Sequence, residues 1–277
     1  MSGWTGRKAA ALTAIFAAAF VLDGCATRPA DPQELAYYQE RNDPFEPMNR
    51  VVFQFNEVVD KVVLRPVSIG YRAVVPSGIR WGIHNFLDNL TKPLTIANAL
   101  LQGEGVIARD ATGRFMTNTI LGLGGFIDIA SDAGIPQQDE DFGQTLAVWG
   151  VAPGPYVVLP LLGPSNLRDA VGRGTDSLTD PFGRLGPQDY RDEALLARWT
   201  LDAVDWRSAN IETIDEVRRN SLDFYATARS AYRQRRANEI ANGRGGPGDG
   251  LDGLPPMVDF DSMDLPAESG DAPAIQQ

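Results

Sequence analysis

The chain has 277 residues, a net charge of −11, one cysteine and one histidine. That charge excludes nucleic acid as a partner, because such binding rests on neutralising phosphates. A lone cysteine excludes an internal disulfide. A lone histidine, His84, leaves little for acid–base catalysis, and no Gly-x-Ser-x-Gly elbow, His-Glu-x-x-His string or Walker A lysine occurs. His84 reads as a surface or core histidine rather than a base.

At the N-terminus, Arg7 and Lys8 precede an apolar run over residues 9–22, broken only by Thr13. About 14 residues suit a secretory h-region and fall short of the roughly 20 that span a bilayer. The run ends in Leu22-Asp23-Gly24-Cys25, which resembles a bacterial lipobox, with Asp23 where a small or neutral residue is usual. The expectation is cleavage before Cys25 and acylation of its thiol, with no cofactor beyond those acyl chains. Two or three chains anchor firmly where one is marginal. Ala26 follows the cysteine where inner-membrane lipoproteins of enterobacteria carry Asp, so the resemblance points to the outer membrane. The expected organisation is a signal peptide over residues 1–24, a lipidated tether over 25–41, a helical domain over 42–244 and an acidic tail over 245–277. The tail carries seven acids and neither Lys nor Arg, a composition that predicts disorder.

In the helical domain, Asp43-Pro44-Phe45-Glu46 reads as a helix start, with Asp43 as N-cap and Pro47 able to shift the first turn to Glu46. An apolar stripe at helical spacing follows, from Met48 through Val52, Phe55 and Val59 to Val63, ending before Pro66. A second stripe runs from Ile83 to Leu101, with Pro93 predicting a kink, and a third helix covers residues 106–121. Gly122-Leu123-Gly124-Gly125-Phe126 is apolar and glycine-rich at once, a poor helix interior. It reads either as a buried turn or as a bent, cavity-side segment at membrane depth. Residues 142–149 read as helix, with Asp141 as cap and Asp139-Glu140-Asp141 as a solvated turn. An extended run over 154–160 follows, and Ser165 is placed to cap a short helix. Residues 188–242 read as mostly helical, with a basic, solvent-exposed end around Arg233, Arg235 and Arg236.

Several strings together resemble the MlaA (VacJ) family of outer-membrane lipoproteins. They are Asn42-Asp43-Pro44-Phe45-Glu46-Pro47-Met48-Asn49-Arg50, Arg114-Phe115-Met116-Thr117-Asn118-Thr119-Ile120-Leu121-Gly122, Gly124-Gly125-Phe126-Ile127-Asp128, Phe142-Gly143-Gln144-Thr145-Leu146, Gly154-Pro155-Tyr156-Val157-Val158-Leu159-Pro160 and Leu167-Arg168-Asp169. The resemblance implies a mostly all-α, ring-like bundle of amphipathic helices lying in a membrane leaflet. It implies a passive path for phospholipid from the outer leaflet of the outer membrane, beside a trimeric porin, to a periplasmic MlaC-type carrier. Arg168, Asp169 and Arg198 are the expected lipid path, since arginine meets phosphate bidentately. Gly122, Gly124, Gly125 and Phe126 are the expected flexible apolar loop.

The residues agree in kind. Several helices are amphipathic and none is apolar enough to span, which suits a protein lying in an interface plane. Trp81, Trp149, Trp199 and Trp206 read first as core residues and second as headgroup-depth anchors. The alternative is a structural or scaffolding lipoprotein without transport, and enzymatic activity is not expected. Cys25→Ala is expected to abolish metabolic labelling with a fatty acid and to leave uncleaved precursor; labelling that persists would remove the anchor.

Overall fold

The computed structural model describes residues 43–182 and 191–242. Cys25, the tether and the acidic tail lie outside them. Within them the chain is helical: α1 (Glu46–Val59), a π-helical segment (Asp60–Leu64), α2 (Arg65–Val74), α3 (Ser77–Gln102), α4 (Gly105–Ile120), α5 (Ile129–Asp132), α6 (Phe142–Val148), α7 (Leu167–Thr179), α8 (Arg191–Ala209), α9 (Ile211–Asn220) and α10 (Phe224–Ile240). Between α6 and α7 lies an antiparallel hairpin of β1 (Tyr156–Leu159) and β2 (Gly163–Asn166), pairing Tyr156 with Asn166 and Leu159 with Gly163. No described helix is long and apolar enough to cross a membrane.

Two prolines fail to stop their helices. Pro66 lies in the first turn of α2, yet the helical path runs on from α1 through the π segment. There the Arg65 amide reaches the Asp60 carbonyl, five residues back. The widened turn makes room for a ring that would otherwise meet a carbonyl four residues earlier. Pro93 sits inside α3, which continues unbroken to Gln102.

Helix caps also differ from expectation. Asp43 does not cap α1. It is buried and accepts from Asn49 Nδ2 (2.8 Å), Arg229 (2.9 Å) and the Tyr225 hydroxyl. Ser165 belongs to β2, and Asn166 caps α7 instead, accepting from the Asp169 amide at 2.8 Å. Asp141 caps α6 as expected, accepting from the Gln144 amide at 2.9 Å.

Polarity is distributed inside out. Among the described residues, 22 polar or charged side chains are buried against 12 apolar ones, while 33 large apolar side chains are exposed. The α1 stripe points outward: Met48 is 66% exposed and Val58 60%. The inward face of α1 is amide. Asn49 donates to the Tyr156 carbonyl (3.0 Å) and accepts from the Val158 amide (2.9 Å), and Asn56 does the same with Leu159 (2.9 Å) and Leu161 (2.8 Å). Two asparagines, two turns apart, thereby dock the hairpin on α1. Trp81, Trp149, Trp199 and Trp206 are all exposed, so core packing, the first reading of them, does not hold.

The apolar core is reduced to small clusters, one of Tyr156, Val158, Tyr225 and Tyr232 and one of Ala99, Ile107 and Ala108, and buried or half-buried guanidinium groups make the remaining joints. Arg236 bridges Asp141 (2.6 Å) and Asp169 (2.8 Å), tying α10 to α6 and α7. Arg207 and Arg218 share Asp60 and Asp215, tying α8 and α9 to the π segment. Arg114, 1% exposed, holds Asp128 (2.6 Å) and the Ile135 carbonyl (2.7 Å), closing the loop after α4. Of the arginines expected on a solvent-exposed end of α10, Arg235 is exposed and Arg233 half-buried, while Arg236 is a structural joint. Gly143 makes the joint possible, since a Cβ there would lie 2.5 Å from the Arg236 guanidinium.

The glycine turn after α4 is fixed by contact. A Cβ on Gly122 would lie 2.1 Å from the Ile127 carbonyl oxygen, whereas Gly124 has open space around it and φ of +79°. Phe126 stacks on Phe86 of α3 at 4.8 Å, and Leu121, Leu123 and Ile127 are exposed. The turn packs against α3 on an apolar outer surface.

Gly122→Ala should cost about 3 kcal/mol through overpacking, and Gly124→Ala about 1 kcal/mol through left-handed backbone strain. Denaturation of the purified variants gives the order; equal losses would contradict it. Removing Arg236 leaves carboxylates buried without their partner, so Arg236→Ala should lose about 3 kcal/mol or more by the same measurement. Burial alone would raise the carboxyls of Asp60, Asp141 and Asp169, but Arg207 and Arg218 at the first, and Arg236 at the other two, hold them below the usual range. Folded pKa values below the unfolded ones give stability that is present above about pH 4 and lost as pH falls through the folded values. Melting temperature should accordingly fall steeply in that acid window, and an unchanged value down to pH 3 would show the pairs to be weak.

Candidate functional site

A cavity of about 840 Å³ opens where α3, the loop before α6, α6, α7, α8 and α10 meet. Seven carboxylates line it: Asp88 from α3, Asp139, Glu140 and Asp141 from the loop, Asp176 from α7, Asp202 from α8 and Glu239 from α10. Two guanidinium groups, Arg173 of α7 and Arg235 of α10, and the imidazole of His84 share the wall. Lys92 stands behind it, 1% exposed, with Nζ 2.8 Å from Asp88 and 2.7 Å from Asp139. Even with Lys92 and Arg236 counted and buried Glu140 set aside, four cations face six acids, so the cavity is acidic.

Helix periodicity explains which side chains reach the cavity. On α7, Arg173 and Asp176 are three residues apart and share one face. Arg168 and Asp169 are buried elsewhere on that helix, bonded to each other at 2.9 Å, and Asp169 also accepts from the Tyr232 hydroxyl (2.5 Å). Five residues separate Arg168 from Arg173, which turns them about 140° apart on a helix. On α10, consecutive Arg235 and Arg236 divide in the same way, one into the cavity and one into the joint.

Burial sets the acidity of the wall. Glu140 is 4% exposed; desolvation pushes its carboxyl up to about 7, against a hydrogen bond from Gln102 at 2.8 Å. Within Asp139-Glu140-Asp141, Asp139 stays exposed as a solvated turn would have it and Asp141 caps α6 as expected, whereas Glu140 is buried in the wall. Burial also raises Asp176, which accepts from the Phe142 amide (2.9 Å) and Asn98 (3.1 Å). Asp202 keeps exposed surface, yet the protein packed around its carboxyl raises it too, opposed by the charge of Arg198 one turn earlier. Gln144 donates to the Asp139 carbonyl at 3.0 Å, while its Oε1 is buried with no partner. His84 approaches Asp205 at 3.1 Å.

The sequence-predicted site residues stand around this cavity more than on it. Arg168 and Asp169 build the frame. Arg198 pairs with Asp180 at 2.5 Å and reaches the cavity only through its field at Asp202. Gly122, Gly124, Gly125 and Phe126 form the outer turn beside α3, away from the cavity wall. Sequence reasoning missed Arg173 and Arg235, and the available signal was the three-residue spacing of Arg173 and Asp176. Among the described residues no cluster of His, Cys, Asp or Glu is arranged to hold a metal ion.

A family model described as MlaA lipoprotein matches residues 41–239. Over 237 residues the chain is 38% identical to a Shigella flexneri protein named intermembrane phospholipid transport system lipoprotein MlaA, covering 84% of this chain and 89% of that one. The Escherichia coli K12 protein of the same name is 37% identical with the same coverage. An uncharacterised protein of Rickettsia felis is 38% identical over 200 residues, covering 72% of this chain and 78% of that one. A solved structure described as "Structural basis for maintenance of bacterial outer membrane lipid asymmetry" matches with a TM-score of 0.64 at 36% identity, covering 72% of this chain and all of that one. With nearly the whole helical domain matched in sequence and its fold matched in space, this chain belongs to the MlaA lipoprotein family.

Proposed function

We propose that the chain is an outer-membrane lipoprotein, anchored through acylated Cys25, that gives phospholipids a passive route out of the outer leaflet. The observation that carries this reading is the inverted polarity: an apolar exterior around a cavity lined with charged side chains. Exposing two acyl tails to water costs on the order of 25 kcal/mol, at about 0.8 kcal/mol per methylene. A route must keep the tails in an apolar medium while the headgroup crosses a polar one. An amphipathic helical body lying in the inner leaflet offers both, with its exposed tryptophans at headgroup depth. Direction then comes from partners: a trimeric porin beside it, and a soluble MlaC-type carrier that takes the lipid on the periplasmic side. The relatives' names, which speak of intermembrane phospholipid transport, support the same reading. The work is passage and not chemistry, so no catalytic step is assigned.

Arg173 and Arg235 are the cavity groups suited to the phosphate. Reversing either to Glu should raise outer-leaflet phospholipid and detergent sensitivity in cells that depend on this chain, with protein abundance unchanged. The check is surface phospholipid labelling alongside an immunoblot. Wild-type behaviour of both variants at normal abundance would remove the headgroup passage from this cavity.

A further inference from the structure

Resting on the passage reading above, we propose that the cavity discriminates among headgroups, favouring a phospholipid that carries a primary ammonium, such as phosphatidylethanolamine, over a net-anionic one such as phosphatidylglycerol. Both lipids bring a phosphate, and Arg173 and Arg235 can meet it. They differ in what lies beyond the phosphate. The wall offers a surplus of carboxylates there, and an ammonium offsets that charge whereas a glycerol leaves the repulsion standing.

A second feature points the same way. Gln144 lines the cavity, is 3% exposed, and holds Oε1 as a buried acceptor without a donor. Such an atom is costly unless a donor reaches it. An ammonium supplies three donors together with the charge that the carboxylates lack. A glycerol hydroxyl also donates, but brings no charge. A divalent cation fits less well, since the described residues form no metal-binding cluster. Asp202 is the carboxylate most available for this role: it is exposed within the cavity wall and has no hydrogen-bond partner among the described residues.

The test uses the lipidated full chain in vesicles of equal phosphatidylethanolamine and phosphatidylglycerol. It is extracted in mild detergent, and the retained lipid is counted by mass spectrometry. The wild type should retain at least about threefold more phosphatidylethanolamine, as one uncompensated charge in a wet cavity would give. Asp202→Asn should lower that ratio about threefold, and Asp202→Lys should lower it further; Asp139→Asn is a second, independent neutralisation. A wild-type ratio equal to that of the vesicle, or ratios unmoved in all three variants, overturns the discrimination while leaving passage intact. No retained phospholipid at all overturns the passage reading and this one together. A parallel arm adds spermidine. Displacement of phosphatidylethanolamine supports ammonium recognition. Spermidine binding with a vesicle-like lipid ratio would assign the cavity to soluble amines and overturn the proposal.

Discussion

The bridge from Arg236 to Asp141 and Asp169 is the contact on which the rest of the architecture turns. It joins the last helix to the two that flank the hairpin, and it does so inside the protein. A buried guanidinium between two carboxylates adds little net stability over an apolar contact of the same shape, yet losing one member strands the others. Its value is geometric. The fork fixes the distance and the rotation of three helices at once. Gly143 and Gly172 complete the joint by letting α6 and α7 approach until a Cβ on Gly172 would lie 2.4 Å from the Gly143 amide.

Charges in this chain divide into two populations with different work. One population is paired and buried or half-buried, and it spaces the helices: Arg236, Arg207, Arg218 and Arg114 with their acids. The other faces the cavity and sets the potential there: Asp202, Glu140, Arg173, which also donates to the Leu162 carbonyl at 3.2 Å, and Arg235, which holds its neighbour Glu239 at 3.1 Å. The division follows helix faces, not sequence proximity, as Arg235 and Arg236 demonstrate. Lys92 belongs to both, since it supports the wall from behind while lending its charge to Asp88 and Asp139.

Much of the fold was legible in the sequence. The helical stripes, the extended run that became β1 and the Asp141 cap follow from periodicity and capping chemistry. The strings that carry the family resemblance prove to be the polar frame: Asn49 on the hairpin, Arg114 and Asn118 on Asp128, and Asp169 at the joint. That is why the resemblance identified the fold and yet pointed to Arg168 and Asp169 as a path. The cavity itself was not legible. Five helices and a loop contribute to it, and a one-residue step on a helix decides between wall and frame. Pro66 misled for a local reason, because a stop signal assumes ordinary α-helical spacing and the chain used a wider turn.

The inverted polarity has a thermal consequence. The heat-capacity change of unfolding grows with apolar surface newly wetted and shrinks with polar surface newly wetted. Here the interior that opens is mostly amide, carboxylate and guanidinium, while many large apolar side chains lie outside before unfolding begins. The two contributions oppose each other, so the curve of stability against temperature is flat and broad compared with that of an oil-filled domain of equal length. Cold and warmth alike act weakly on such a protein, and acidity acts strongly.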